Sequence, residues 1–92
     1  MNKLKEIARV LADTDDAEKI ESFLRSILTG NEIAEISSRW ELVKLLYDGM
    51  SQRKIAEKLG LSLCKITRGS KELKKTRSPF RTMIERHKEI HS

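Results

Sequence analysis

Met50-Ser51-Gln52-Arg53-Lys54-Ile55-Ala56-Glu57-Lys58-Leu59-Gly60-Leu61-Ser62-Leu63-Cys64-Lys65-Ile66-Thr67-Arg68-Gly69-Ser70 sets small and apolar residues where two short, closely crossing helices need them. Ile55 and Leu59 share one face of a first helix, with Ala56 beside them where the crossing leaves room for only a small side chain. Gly60 supplies the turn, because glycine enters the left-handed conformation at little steric cost. Ser62 caps the second helix. Leu61 and Ile66 face back toward the first helix, which leaves Leu63, Cys64, Lys65, Thr67 and Arg68 over the remaining surface of the second, where a major groove meets a reading helix. The pattern predicts a helix-turn-helix over about 51–73 and, with it, binding to double-stranded DNA. An ordinary buried helix pair shares the spacing, so charge has to separate the two.

The chain has 92 residues, with 19 Lys and Arg against 14 Asp and Glu and a formal net charge of +5. That balance suits a polyanionic partner. The basic residues crowd the carboxyl-terminal half: between Arg53 and Arg86 they far outnumber Glu57, Glu72 and Glu85. Some of these lysines belong to solvated helix faces. The length fits one small domain, 1–92, whose proportionally small core makes self-association attractive. With one cysteine there is no intrachain disulfide, and Cys64 reads as a small apolar residue. No apolar run reaches membrane-spanning length, and the opening Met-Asn-Lys-Leu-Lys lacks the core of a secretory signal, so a cytoplasmic protein without membrane attachment is expected. His87 and His91 have no metal-ligand spacing, and no nucleophile pairs with a base, so neither a metal nor an enzymatic activity is expected.

Helical periodicity covers the rest. Leu4, Ile7, Ala8 and Leu11 mark a first helix, and Asp13-Thr14-Asp15-Asp16 breaks it and caps a second carrying Ile20, Phe23, Leu24, Ile27 and Leu28. Thr29-Gly30-Asn31-Glu32 reads as a capping box for a third helix that runs to Asp48, with Gly49 as its stop. The apolar residues of this helix, from Ile33 and Ile36 through Trp40 to Tyr47, cover more than one face, which calls for a second partner to bury them. After the basic connector Lys74-Lys75-Thr76-Arg77, Ser78 caps and Pro79 opens a last helix. Its stripe is Phe80, Met83, Ile84, His87 and Ile90. No segment alternates as a strand does, and the fold class is all-α with six helices.

These residues resemble the Trp repressor family over about Leu24 to Leu73. The likeness rests on Leu28-Thr29, on Arg39 spaced ten residues before Gly49, on Met50-Ser51-Gln52-Arg53, on Leu59-Gly60 and above all on Ile66-Thr67-Arg68-Gly69-Ser70. The resemblance implies an intertwined homodimer that represses transcription at operator DNA and is gated by L-tryptophan as corepressor. It implies that Arg39 and Arg68 sandwich the indole, that Arg68 also meets the carboxylate with Thr29 nearby, and that the carbonyls of Ser26 and Leu28 from the partner chain accept from the ammonium. Gly69 allows close approach, and a bulky residue there is expected to abolish the ligand response without disturbing the fold. The base and backbone contacts implied are Gln52, Arg53, Leu63, Cys64, Lys65, Thr67, Arg68 and Lys74. A surface ion pair with Glu35 is the competing reading of Arg39.

The chain departs from the family pattern at several positions. Lys65 stands where a small hydroxyl residue is usual, Glu72 where a serine is usual near the ligand amine, and Ala56 where a lysine would touch phosphate. Glu72 either pairs with the ammonium or narrows the pocket. A helix-turn-helix DNA binder of the same fold with another ligand or none, like a transposon or replication-initiator module, therefore stays open beside the tryptophan-gated repressor.

Overall fold

A computed structural model describes residues 2–91, with side chains as far as Ile90; Met1, Ser92 and the His91 side chain lie outside the described set. Among the described residues there are six helices and no strand: α1 Lys3–Asp13, α2 Ala17–Ile27, α3 Gly30–Tyr47, α4 Gln52–Leu59, α5 Leu63–Lys74 and α6 Pro79–His91. The chain packs as two compact units, residues 1–34 and 35–92.

Short polar side chains start the helices. Asn2 Oδ1 accepts from the Leu4 N–H and Asp16 Oδ1 from the Glu18 and Lys19 N–H groups. At α3 the capping box closes in both directions: the Glu32 N–H donates to Thr29 Oγ1 at 3.1 Å and the Thr29 N–H to Glu32 Oε1 at 2.8 Å. Ser51, Ser62 and Ser78 cap α4, α5 and α6 in the same way, each accepting an N–H three residues on. These contacts satisfy donors that the first helical turn leaves without partners. Gly60, at φ 65°, ends α4 in the left-handed conformation. Gly49, at φ 91°, does the same after α3.

In the first unit, α1 and α2 carry no buried residue. Leu4, Val10, Phe23 and Ile27 stay exposed, although each helix gathers its apolar residues on one face. The second unit has a core of Leu42, Val43 and Leu45 from α3, Ile55 from α4, Ile66 and Leu73 from α5, and Ile84 from α6. Ile55, Ile66 and Ile84 are 0 % exposed, and full burial of such a side chain contributes roughly 1.5–3 kcal/mol. Trp40 seals one end, stacked on Phe80 with ring centroids 5.9 Å apart and edge-on to His87 at 5.8 Å. The α6 stripe divides: Ile84 is buried and Phe80 and His87 half-buried, while Met83 and Ile90 face solvent. Arg81 donates to the Leu73 carbonyl, one of the last acceptors of α5, and so ties α6 to the end of the preceding helix.

Candidate ligand pocket and nucleic-acid interface

Helical periodicity builds a pocket within the second unit. On α3, Glu35, Ser38, Arg39 and Leu42 follow the spacing i, i+3, i+4, i+7; on α5, Lys65, Arg68, Gly69 and Glu72 follow the same spacing. Each set forms one helix face. Val43, Leu61 and Phe80 complete a cavity of about 430 Å³ with an apolar floor and a charged rim. That volume lies within the range of small-molecule sites, ~300–1,000 Å³.

Gly69 brings the walls together. A Cβ at this position would lie 3.2 Å from Leu42 Cδ2 and 3.4 Å from both Leu42 Cγ and Val43 Cγ2. Both neighbours belong to the core, so a bulky side chain here presses on the fold as well as on the pocket, and the expectation that it spares the fold is corrected.

The rim charges fall into two groups. Arg39 pairs with Glu35 across one turn at 3.8 Å, and Lys75 pairs with Glu72 at 2.7 Å. Both pairs are more than one-third exposed and so weak, about 0.2–1 kcal/mol each. Lys65 and Arg68 take part in no ion pair among the described residues.

Of the residues implied for a ligand, Arg39, Arg68, Gly69 and Glu72 line this one cavity. Ser26, Leu28 and Thr29 lie in the first unit, where α2 gives way to α3. Ser26 Oγ donates to the Phe23 carbonyl at 2.7 Å, and the Leu28 N–H donates to the Leu24 carbonyl. Among the described residues, neither the Ser26 nor the Leu28 carbonyl accepts a backbone hydrogen bond across the junction. Glu35, Ser38, Lys65 and Phe80, together with the apolar Leu42, Val43 and Leu61, were not anticipated as lining. The i, i+3, i+4, i+7 spacing carried the signal for the first three.

The opposite arc of α5 is free. At ~100° per residue, Ile66, Ser70 and Leu73 define the buried arc; Leu63, Cys64, Thr67, Lys71 and Lys74 fall together on the far side, all exposed. Leu63 is 59 % exposed at the first position of the helix. Gln52 and Arg53 are exposed in the first turn of α4. Gln52 and Lys74 also border a second concavity with Tyr47, Arg81 and Glu85. There the Tyr47 hydroxyl donates to Glu85 Oε2 at 3.1 Å, and this bond, then desolvation, then the carboxylate's charge raise the Tyr47 pKa above its ordinary value. Among the described residues no group of three or more His, Cys, Asp or Glu is placed to hold a metal ion, and no helix is long and apolar enough to cross a membrane.

Comparison with known proteins gives a consistent picture. The family model described as Trp repressor protein matches residues 2–88. A Trp operon repressor homolog of Xylella fastidiosa is 37% identical over 68 residues, covering 73% of this chain and 74% of that protein. One from Chlamydia trachomatis is 35% identical over 71 residues, covering 72% and 76%. One from Vibrio parahaemolyticus is 32% identical over 71 residues, covering 76% and 69%. No solved structure matches the chain. With six helices, no strand among the described residues, and a family match across nearly its whole length, the chain belongs to the Trp repressor family.

Proposed function

We propose that this protein is a homodimeric transcriptional repressor that binds double-stranded operator DNA when a small corepressor, L-tryptophan in the first instance, fills the pocket between α3 and α5. The observation that carries the reading is the convergence of Arg39, Arg68 and Gly69 on one apolar-floored cavity. A planar indole needs a slot with polarisable walls, and guanidinium groups stack on aromatic faces while also attracting a carboxylate. Arg39 and Arg68 supply the walls, Arg68 and Thr29 the carboxylate contacts, and Gly69 the clearance. Glu72 and the carbonyls of Ser26 and Leu28, contributed by the second copy, accept from the ammonium.

Dimerisation is supported by the apolar faces of α1 and α2, which one chain leaves exposed. A second copy that covers them places two α5 helices about a two-fold axis, so the operator is a pseudo-palindrome with half-sites roughly 34 Å apart. Arg53, Leu63, Cys64 and Thr67 then meet base edges, and Gln52 and Lys74 meet phosphate. Arg68 lies at the border of the outer arc and the pocket, where bound ligand fixes its position.

Calorimetric titration of L-tryptophan into wild type and Arg39→Ala, followed by operator-binding measurements with and without ligand, tests the proposal. Wild type binds and gains operator affinity; Arg39→Ala loses both and keeps its helicity, because the ion pair removed is an exposed one. An Arg39→Ala protein that still gains operator affinity on adding tryptophan would show the pocket to be misplaced. The reading with another ligand or none draws on Glu72 and Lys65 in the lining, and the same titration with other indoles separates it.

A further inference from the structure

Lys65 stands among the groove contacts that the sequence implies, and its position on α5 also sets it against the pocket. Counted from buried Ile66 at ~100° per residue, Gly69, Lys65, Glu72 and Arg68 occupy one continuous arc, and Leu63, Lys74, Thr67, Lys71 and Cys64 occupy the arc on the other side of the core. Lys65 lies near the middle of the pocket arc, and Thr67 near the middle of the outer one. The pocket lining includes Lys65 accordingly.

We propose that Lys65 is a second carboxylate-binding cation of the pocket, acting beside Arg68, so that the site selects planar apolar ligands chiefly by their acid group. This rests on the corepressor reading above and narrows it.

The charge pattern carries the inference. Both carboxylates of the rim are already engaged, Glu35 by Arg39 and Glu72 by Lys75, whereas Lys65 and Arg68 have no anionic partner among the described residues. Two like charges three residues apart on one helix face repel, and an anion held between them removes that repulsion and gains two charge-assisted contacts. A ligand's ammonium finds the opposite situation. It must share Glu72 Oε1 with Lys75 or use the remaining oxygen, and it lies near two unpaired cations. The apolar floor of Leu42, Val43, Leu61 and Phe80 takes the ring and leaves the acid at the rim.

The test is calorimetry without DNA on full-length wild type, Lys65→Met and Lys65→Arg, each titrated with L-tryptophan, indole-3-propionate, which lacks the ammonium, and tryptamine, which lacks the carboxylate. In wild type the two acids bind more tightly than tryptamine. Lys65→Met weakens both acids about three- to tenfold and leaves tryptamine unchanged or tighter, Lys65→Arg restores the acids, and the difference shrinks as salt is raised. Equal weakening of all three ligands, no weakening of the acids, or a wild type that prefers tryptamine overturns the assignment while the corepressor reading stands. A wild type that binds none of the three overturns both. A base contact by Lys65 cannot imitate the expected result, because no DNA is present.

Discussion

Gly69→Ala tests whether the glycine serves the helix or the pocket, and its two effects have opposite signs. Glycine in a helix interior is less favourable than alanine by about 0.8–1.0 kcal/mol, so the substitution gains that much from the backbone. Against this stands the new methyl group, 3.2 Å from Leu42 Cδ2. Overpacking a closed core costs ~1–3 kcal/mol. Leu42 is 2 % exposed, but it also borders the cavity, so its end methyl can yield a few tenths of an ångström, on the order of what a tight contact requires, into space already there. The net expectation is a ligand-free protein stabilised by up to about 0.5 kcal/mol whose pocket is narrowed and whose corepressor affinity falls at least about tenfold. Urea unfolding at fixed protein concentration reads the first quantity and calorimetry with L-tryptophan the second. Destabilisation beyond about 1 kcal/mol would mean that Leu42 has nowhere to go. Undiminished ligand affinity would mean that the cavity beside Gly69 is not the ligand site.

Three further outcomes are expected. Arg53→Ala costs about 1–3 kcal/mol on the operator and relaxes discrimination at one base pair; equal weakening on unrelated DNA would make Arg53 a backbone contact instead. Lys74→Ala weakens all sequences alike and lowers the slope of log affinity against log salt by about one unit, as loss of one phosphate contact requires, and an unchanged slope removes Lys74 from the interface. Tyr47, the single tyrosine, titrates above its ordinary value of 10.0 when followed by ultraviolet absorbance, and Glu85→Gln brings the midpoint down. Folding favours the protonated phenol, so this contribution to stability is complete below the unfolded pKa of about 10 and is lost as pH rises through the folded one. A wild-type midpoint at or below the ordinary value contradicts the Glu85 bond.

What the sequence made legible is what four neighbouring residues decide among themselves. The Thr29–Glu32 capping box, the Ser62 and Ser78 caps, and the left-handed Gly60 are complete within one turn of chain, and each forms as the local pattern requires. The Glu35–Arg39 pair is equally local, and it is present without excluding Arg39 from the pocket lining. On α6 the periodicity named the right residues but not how far the covering reaches. Ile84 is 0 % exposed, whereas Met83 just before it is 58 % and Ile90 66 % exposed. Phe80 joins the pocket by way of the loop between α5 and α6, and nothing in its own surroundings in sequence announces that.

Lys65 shows where a pattern argument reaches its limit. The periodicity of α5 fixes the angle between any two of its residues but not the position of the boundaries between its arcs. Those boundaries depend on what α3 and α4 place against the helix: Leu42 and Val43 meet Gly69, and Ile55 shares the core with Ile66. Once they are drawn, the outer arc holds Leu63, Cys64, Thr67, Lys71 and Lys74, the pocket arc holds Lys65, Gly69 and Glu72, and Arg68 stands at the edge between them. That division gives a physical route for gating. In the proposed repressor, a ligand acid held by Lys65 and Arg68 takes rotamer freedom from a guanidinium at the border of the outer arc, so that DNA no longer has to meet that ordering cost. Ligand and DNA then act on one rigid helix, and their coupling needs no larger rearrangement than the ordering of Arg68.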